Sequence, residues 1–286
     1  MQKPLAAGEL RSEARRAGHA AKRSWLEIAA FVGLIAKGIS FGIVGVLAIK
    51  LAVGSGGKAT SREGALATIA DETWGKILLI ILALGFACYA LWRLAQAFFE
   101  ERDDDDGFFK TWGKVAGYVA RAAIYGGLTY ATIKILAGSG GNHSQDQKAH
   151  KATAEVLGWP AGTWLVGVAG ACVAAAGLYN GYRGVSRKFR KRWKTGEMSR
   201  TALKWGTVAG VVGLVARMVV FGLIGTFLIK SALEYDPKEA LGLDGALQKL
   251  SGQTYGEWLL GLTAAGLIAY AIFCFVEARY REVTPS

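Results

Sequence analysis

The sequence is poor in proline, cysteine and histidine, with 4, 3 and 3 of them in 286 residues. No proline falls inside a long apolar run; Pro160 and Pro237 stand between runs, so nothing forces a kink in a helix built from one. Cys88, Cys172 and Cys274 lie in different runs, and no spacing among them suits zinc or haem. They read as buried structural thiols, and neither a metal nor a cofactor is expected. No histidine, aspartate or glutamate lies deep in an apolar run, and an intramembrane hydrolase or metalloenzyme needs such a group. The protein is therefore expected not to be an enzyme. The first 24 residues are rich in Ala and Arg but lack the apolar core and cleavage site of a secretory signal. They read as a basic amphipathic segment on the cytoplasmic membrane face.

What the chain has in quantity is apolar surface and glycine. Hydrophobic residues make up 52% and glycines number 39, a pairing typical of membrane helices whose backbones approach closely. A bilayer core about 30 Å thick needs about 20 apolar residues at 1.5 Å each. Six stretches qualify, approximately 26–51, 74–97, 114–137, 161–182, 204–233 and 257–277. Trp25, Trp74, Trp112, Trp164, Trp205 and Trp258 each stand at or just before a start, as an interfacial ring should. The net charge of +12 sits beside these stretches, so anionic lipid headgroups are the expected partner and nucleic acid is not. Lys and Arg crowd the N-terminal segment, the second and fourth connections and the tail, where Arg93, Arg183, Arg187 to Lys194, Arg279 and Arg281 are counted. The other connections carry Lys58 and Arg62, Lys148 and Lys151, and Lys238 and Lys249. The positive set faces the cytoplasm, which puts both termini inside and the protein in the cell (plasma) membrane as a multi-pass protein.

The chain repeats itself three times. Lys37-Gly38-Ile39-Ser40-Phe41-Gly42 with Ile49-Lys50 recurs as Arg121-Ala122-Ala123-Ile124-Tyr125-Gly126 with Ile133-Lys134, and as Arg217-Met218-Val219-Val220-Phe221-Gly222 with Ile229-Lys230. First and last cation are 13 residues apart in every copy. Gly54-Ser55-Gly56-Gly57 recurs at Gly138-Ser139-Gly140-Gly141 and reads as a helix C-cap and turn, since no G-K-[ST] closes it as a phosphate loop. In the second helix of each unit, Tyr89, Trp92 and Gln96 match Tyr179, Tyr182 and Ser186, then Tyr270, Phe273 and Glu277, each trio on one helix face. The organisation is therefore a basic segment 1–24, repeat one at 25–100, an acidic cytoplasmic loop 101–111, repeat two at 112–186, a basic loop 187–203 and repeat three at 204–281. Two spans per unit insert every copy the same way up, so the expected fold is an all-α six-helix membrane bundle of three parallel two-helix repeats about a pseudo-threefold axis.

A threefold repeat with [KR]-x3-[FY]-G in each first helix resembles the bacterial membrane family known as domain of unknown function 1206. The ending Glu277-Ala278-Arg279-Tyr280-Arg281 is similar to that family's last motif. The resemblance runs from Trp25 to Tyr280 and implies six spans in three repeats, with no established activity. The three-repeat plan is also like that of mitochondrial carriers, but their proline-kinked helices with a following acid and base are absent.

Three cations need a reason. Lys37, Arg121 and Arg217 lie about 10–20 Å from the cytoplasmic helix ends at 1.5 Å per residue, near mid-depth, with no carboxylate beside them. Each costs at least about 2.5 kcal/mol to insert. One reading is packing. Each stacks on the aromatic four residues on, pairing Lys37 with Phe41, Arg121 with Tyr125 and Arg217 with Phe221, or bonds Tyr89, Tyr179 or Tyr270 at similar depth. The other is a ligand site for an anion or a lipid, in which the ring of cations converges on the axis with the tyrosines as donors. Lys50, Lys134 and Lys230 are read as an outer set that snorkels to the interface.

The remaining features are weaker. Asp103 to Asp106 lacks a calcium-loop pattern. His143, Asp146 and His150 sit on a short polar stretch where no helix is expected to fix them. Gly38 with Gly42, Gly113 with Gly117 and Gly206 with Gly210 form G-x-x-x-G pairs for tight packing. Residues 239–250 are expected to form a short helix on the outer membrane surface. Arg187 to Lys194, with Phe189 and Trp193 interleaved, points to anionic lipid. The expected function is a non-catalytic membrane protein that binds lipids or a partner membrane protein; the alternative is a small anion transporter or channel using the deep cations.

Overall fold

The computed structural model describes residues 7–53, 66–67, 70, 74–99, 108–138, 145–252 and 255–282, and structural statements concern these. The long helices are α1 Ala7–Ala52, α2 Gly75–Phe99, α3 Phe108–Leu136, α4 Gln145–Leu157, α5 Gly162–Val185, α6 Arg200–Glu234, α7 Leu243–Ser251 and α8 Gly256–Tyr280. Short 3₁₀ turns occupy Lys188–Arg192, Thr195–Glu197 and Pro237–Glu239. Among the described residues the elements are all helical, and Trp193 and Arg281 form an isolated bridge.

Among the described residues, five helices are long and apolar enough to cross a membrane: α1 from Trp25, α2, α5, α6 and α8. The sixth expected span differs. Helix α3 is 29 residues, ample in length, but Lys114, Arg121 and its Gly, Thr and Tyr residues make it less apolar than the others. The basic segment also differs from expectation: residues 7–24 continue without a break into the first span as one helix of 46 residues. At about 69 Å that helix is more than twice the hydrocarbon thickness. The six tryptophans at the span starts are all exposed, as an interfacial ring requires.

The packing follows the repeats. Helix α1 packs against α2 and α8, α2 also against α3, and α6 against α5 and α8. Each neighbour is antiparallel. Along α1, Gly33 meets Tyr89 and Gly38 meets Phe275, while Gly45 meets Ile268 further back on α8. The three first helices α1, α3 and α6 therefore run parallel, and walking round the bundle gives α3, α2, α1, α8, α6, α5. Small residues make these seams. With lipid outside as apolar as leucine, close backbone approach is what holds helices together.

Two seams within repeats are near copies. In repeat one a Cβ on Gly33 would stand 2.6 Å from Tyr89 Cβ, and Gly85 nests on Ala36. In repeat three a Cβ on Gly213 would stand 2.5 Å from Tyr270 Cα, and Gly266 nests on Ala216. The main core lies where α1, α6, α7 and α8 meet; a second lies between α1, α2 and α3. Helix α7, the short helix expected at 239–250, turns its apolar face to the bundle. It folds onto the bundle, burying Leu243, Ala246 and Leu247, because its apolar face finds the open end between α6 and α8. Gly138 takes φ 69°, the left-handed cap expected after α3, while residues 54–57 and 139–141 lie outside the described residues.

Candidate functional site

The site is assembled from equivalent positions on different repeats. Lys37 on α1 is buried, with its Nζ 5.4 Å from the centre of the Tyr89 ring and 5.1 Å from that of Tyr270. Arg217 on α6 faces the same tyrosine. Its Nη1 donates to Tyr270 Oη at 2.6 Å, and its guanidinium lies 4.6 Å from the Tyr270 ring, 4.8 Å from Phe221 and 5.6 Å from Phe41. Phe41 meets Tyr270 edge-on at 4.9 Å. Aromatic faces stabilise a desolvated cation by about 2 kcal/mol or more each, which offsets part of its burial cost. The buried Nε of Arg217 has no hydrogen-bond partner. A cavity of about 100 Å³ lies beside it, bounded by Phe41, Phe221, Leu243 and Leu267.

The expected (i, i+4) stacking holds for Arg217 with Phe221. Lys37 instead reaches the rings of the flanking helices. Arg121 turns back to donate to Gly117 O at 3.1 Å. Tyr125 packs against Tyr89, centres 4.3 Å apart. The structure thus brings Lys37, Arg217, Tyr89 and Tyr270 together. Arg121 remains exposed on α3, within electrostatic range of Arg93, Arg183 and Arg217. Tyr179 is 58% exposed on α5, whereas Tyr89 is 0% and Tyr270 2% exposed.

The basic end of the bundle holds residues that the sequence reading assigned to loops. Arg93 is buried inside α2, donating to Tyr89 Oη at 2.7 Å and Gln96 Oε1 at 2.5 Å, with its guanidinium 4.2 Å from the Trp92 ring. Arg281 is also buried and pairs at 3.2 Å with Glu277, a buried carboxylate in the last turn of α8. Burial holds the Arg281 guanidinium below its ordinary range, with Glu277 opposing and Arg93 reinforcing that effect. The signal for Arg93 was its place four residues after Tyr89, on the same helix face. Phe189 and Trp193, from the basic connection, are buried too; Phe189 stacks on Phe273 at 5.1 Å. Backbone bonds from Lys194 to Tyr280 and from Glu282 to Arg192 fasten this plug to the chain's end. The charges beside it, Arg187, Lys188, Lys191, Arg192 and Lys194, stay exposed.

At the opposite end Lys50 is exposed, Lys134 lies 5.3 Å from the Tyr130 ring, and Lys230 departs from simple snorkelling by pairing with Glu239 at 2.9 Å and Glu234 at 3.7 Å. His150 sits on α4, a helix where none was expected, and His143 lies outside the described residues.

The sequence profile described as domain of unknown function 1206 (DUF1206) matches this chain three times, at residues 32–100, 116–187 and 212–281. The chain belongs to the DUF1206 family. The three DUF1206 matches span α1 with α2, α3 with α5, and α6 with α8. The chain is similar to the uncharacterised protein YxxB of Bacillus subtilis (strain 168), at 29% identity over 92% of this chain and 94% of that one. No solved structure matches. This DUF1206 protein is thus a membrane protein of a family whose description records no activity.

Proposed function

We propose that the protein is a non-catalytic component of the cell membrane, termini inside, that works by binding anionic lipids. The observation that carries this is the plugged basic end. The aromatic residues of the basic connection turn inward against α6 and α8, leaving Arg187, Lys188, Lys191, Arg192 and Lys194 as an exposed collar. A collar of this kind attracts acidic headgroups by about 1 kcal/mol per cation near the surface. The test is electron spin resonance with nitroxide-labelled phosphatidylglycerol and phosphatidylcholine in reconstituted membranes. The protein is expected to prefer phosphatidylglycerol, and to lose that preference when the five collar residues become glutamine. An unchanged preference sinks the reading. The exposed faces of α3 and α5 also leave room for a partner membrane protein, which would appear as a second chain on gentle purification.

A second reading, anion transport, is favoured by one arrangement: Lys37 and Arg217 converge on Tyr270 within the bundle. Single cysteines at positions 37, 121 and 217 in a cysteine-free background test it. Labelling of all three by an impermeant thiol reagent indicates a hydrated path. Labelling of none, with loop controls reacting, removes the transport reading.

A further inference from the structure

The three repeats do not close alike. The first helices carry the same seam residues: Gly33, Ala36 and Lys37; Gly117, Ala120 and Arg121; Gly213, Ala216 and Arg217. The second helices carry Gly85 with Tyr89, Ala175 with Tyr179, and Gly266 with Tyr270. In repeats one and three these residues interlock. In repeat two they do not: among the described residues α3 and α5 share no comparable packed seam, Gly117 has only its own Arg121 beside it, and Tyr179 faces outward. Cys172 is exposed, while the residues at its place in the other repeats, Leu82 and Thr263, are buried.

One methyl group explains the difference. A Cβ on Gly85 or Gly266 would fall well inside contact distance of the Ala36 or Ala216 Cβ. Repeat two has an alanine at that place, Ala175, and keeps the alanine opposite, Ala120. The interlock that joins the other two pairs is sterically barred there.

The resulting cleft opens sideways, between two helices of a membrane bundle, so what fills it comes from the bilayer. Its charge is mostly basic: the buried Glu277, itself paired with Arg281, is the carboxylate within electrostatic range of Arg183. Arg121 on α3 and Arg183 in the last turn of α5 lie within electrostatic range of each other, and neither joins an ion pair among the described residues. Lys188 caps the same edge, donating to Tyr182 Oη. An acyl chain meets apolar, small-residue walls, and a phosphate at the basic end meets two guanidinium groups, the donors best shaped for it.

We infer that the cleft between α3 and α5 holds one anionic phospholipid, its phosphate clamped by Arg121 and Arg183, and that Ala175 keeps the cleft open. The inference takes its ligand class from the lipid reading above but is independent of the collar. The test is native mass spectrometry of protein taken from membranes of phosphatidylglycerol and phosphatidylcholine, with thiol labelling by a membrane-permeant maleimide as a second readout. Background substitutions remove Cys88 and Cys274. The protein retains one phosphatidylglycerol. Arg121→Gln with Arg183→Gln lowers that retention by about tenfold or more, as loss of two charge-assisted contacts should, while Cys172 still labels. Ala175→Gly lets the helices close, so both the lipid and the labelling of Cys172 are lost; Thr263→Cys, with Cys172 also removed, is the unlabelled control. Substitution of Arg187, Lys191, Arg192 and Lys194 by glutamine, with Lys188 kept, leaves the single retained lipid in place, so failure of the collar reading and failure of this one are separate results. The inference is overturned if phosphatidylcholine is retained equally, if the double arginine variant keeps its lipid, if Cys172 is as protected as the cysteine at 263, if Ala175→Gly changes neither readout, or if a second copy of the chain occupies the cleft.

Discussion

Gly213 lies against the backbone of Tyr270: a side chain at 213 would begin 2.5 Å from Tyr270 Cα, and Gly33 repeats the relation with Tyr89. Backbone cannot step aside as a flexible side chain can. Gly213→Val should therefore destabilise the bundle by about 1–3 kcal/mol or more. Gly117→Val should have little effect, since its nearest neighbour is the movable guanidinium of Arg121. Unfolding in sodium dodecyl sulphate mixtures measures both; equal losses would contradict the difference between repeats.

Tyr270 serves two cations at once, as a ring for Lys37 and a hydroxyl acceptor for Arg217. Tyr270→Phe keeps the ring and removes the acceptor. The loss should be about 1.5–3 kcal/mol, the range for a hydrogen bond to a charged group. Combining it with Arg217→Met should cost less than the sum of the two single changes, because the phenylalanine no longer leaves a charge short of its partner.

The Glu277–Arg281 pair is buried on both sides, each side chain 6% exposed. Glu277→Leu strands a buried guanidinium and should cost about 3–5 kcal/mol; Glu277→Leu with Arg281→Met should recover most of it. By contrast Lys230→Gln should leave the unfolding midpoint unchanged, since its ion pair with Glu239 is solvent-screened. A Lys230 effect as large as that of Glu277 would reverse the assignment of which ion pair matters.

Phe189 closes the basic end, 1% exposed and stacked on Phe273. Phe189→Ala should destabilise by about 3–5 kcal/mol. It should also make a cysteine placed at Gly210, whose side-chain position faces the Phe189 ring, reactive to impermeant maleimide. A midpoint that stays put, or a cysteine that stays silent, counts against the plug.

The repeat was legible because it is written in residue identities: cation, aromatic and lysine recur at fixed spacing, and the tryptophans mark where spans begin. Two of the three G-x-x-x-G pairs do contact neighbouring helices: Gly38 meets Phe275 and Gly42 meets Ala271, while Gly206 meets Val276 and Gly210 meets Phe189 and Phe273. Gly113 faces open space. The sequence reading treated the copies as equivalent, and periodicity alone could not reveal that Ala175 stands where its counterparts have glycine in a contact. Arg93 was misplaced, and Arg281, which does follow α8, was not expected to be buried, for another reason. Charge near a span end reads as loop, but a long side chain with a tyrosine or carboxylate on its own face can be drawn inward. The short outer helix α7 was legible, but not that its apolar face packs on the bundle, because such a face fits a bundle mouth as well as a membrane surface.

The extensive packing of α1 on α8 has a bearing on biogenesis. Helix α1 leaves the ribosome well before α8, a principal partner, so Gly38 and Gly45 must wait among lipids until Phe275 and Ile268 arrive. A chain halted before Gly256 would hold inserted helices whose grooves at Gly38, Gly45 and Gly213 stand empty. Quality control could recognise an unfinished molecule by that vacancy alone.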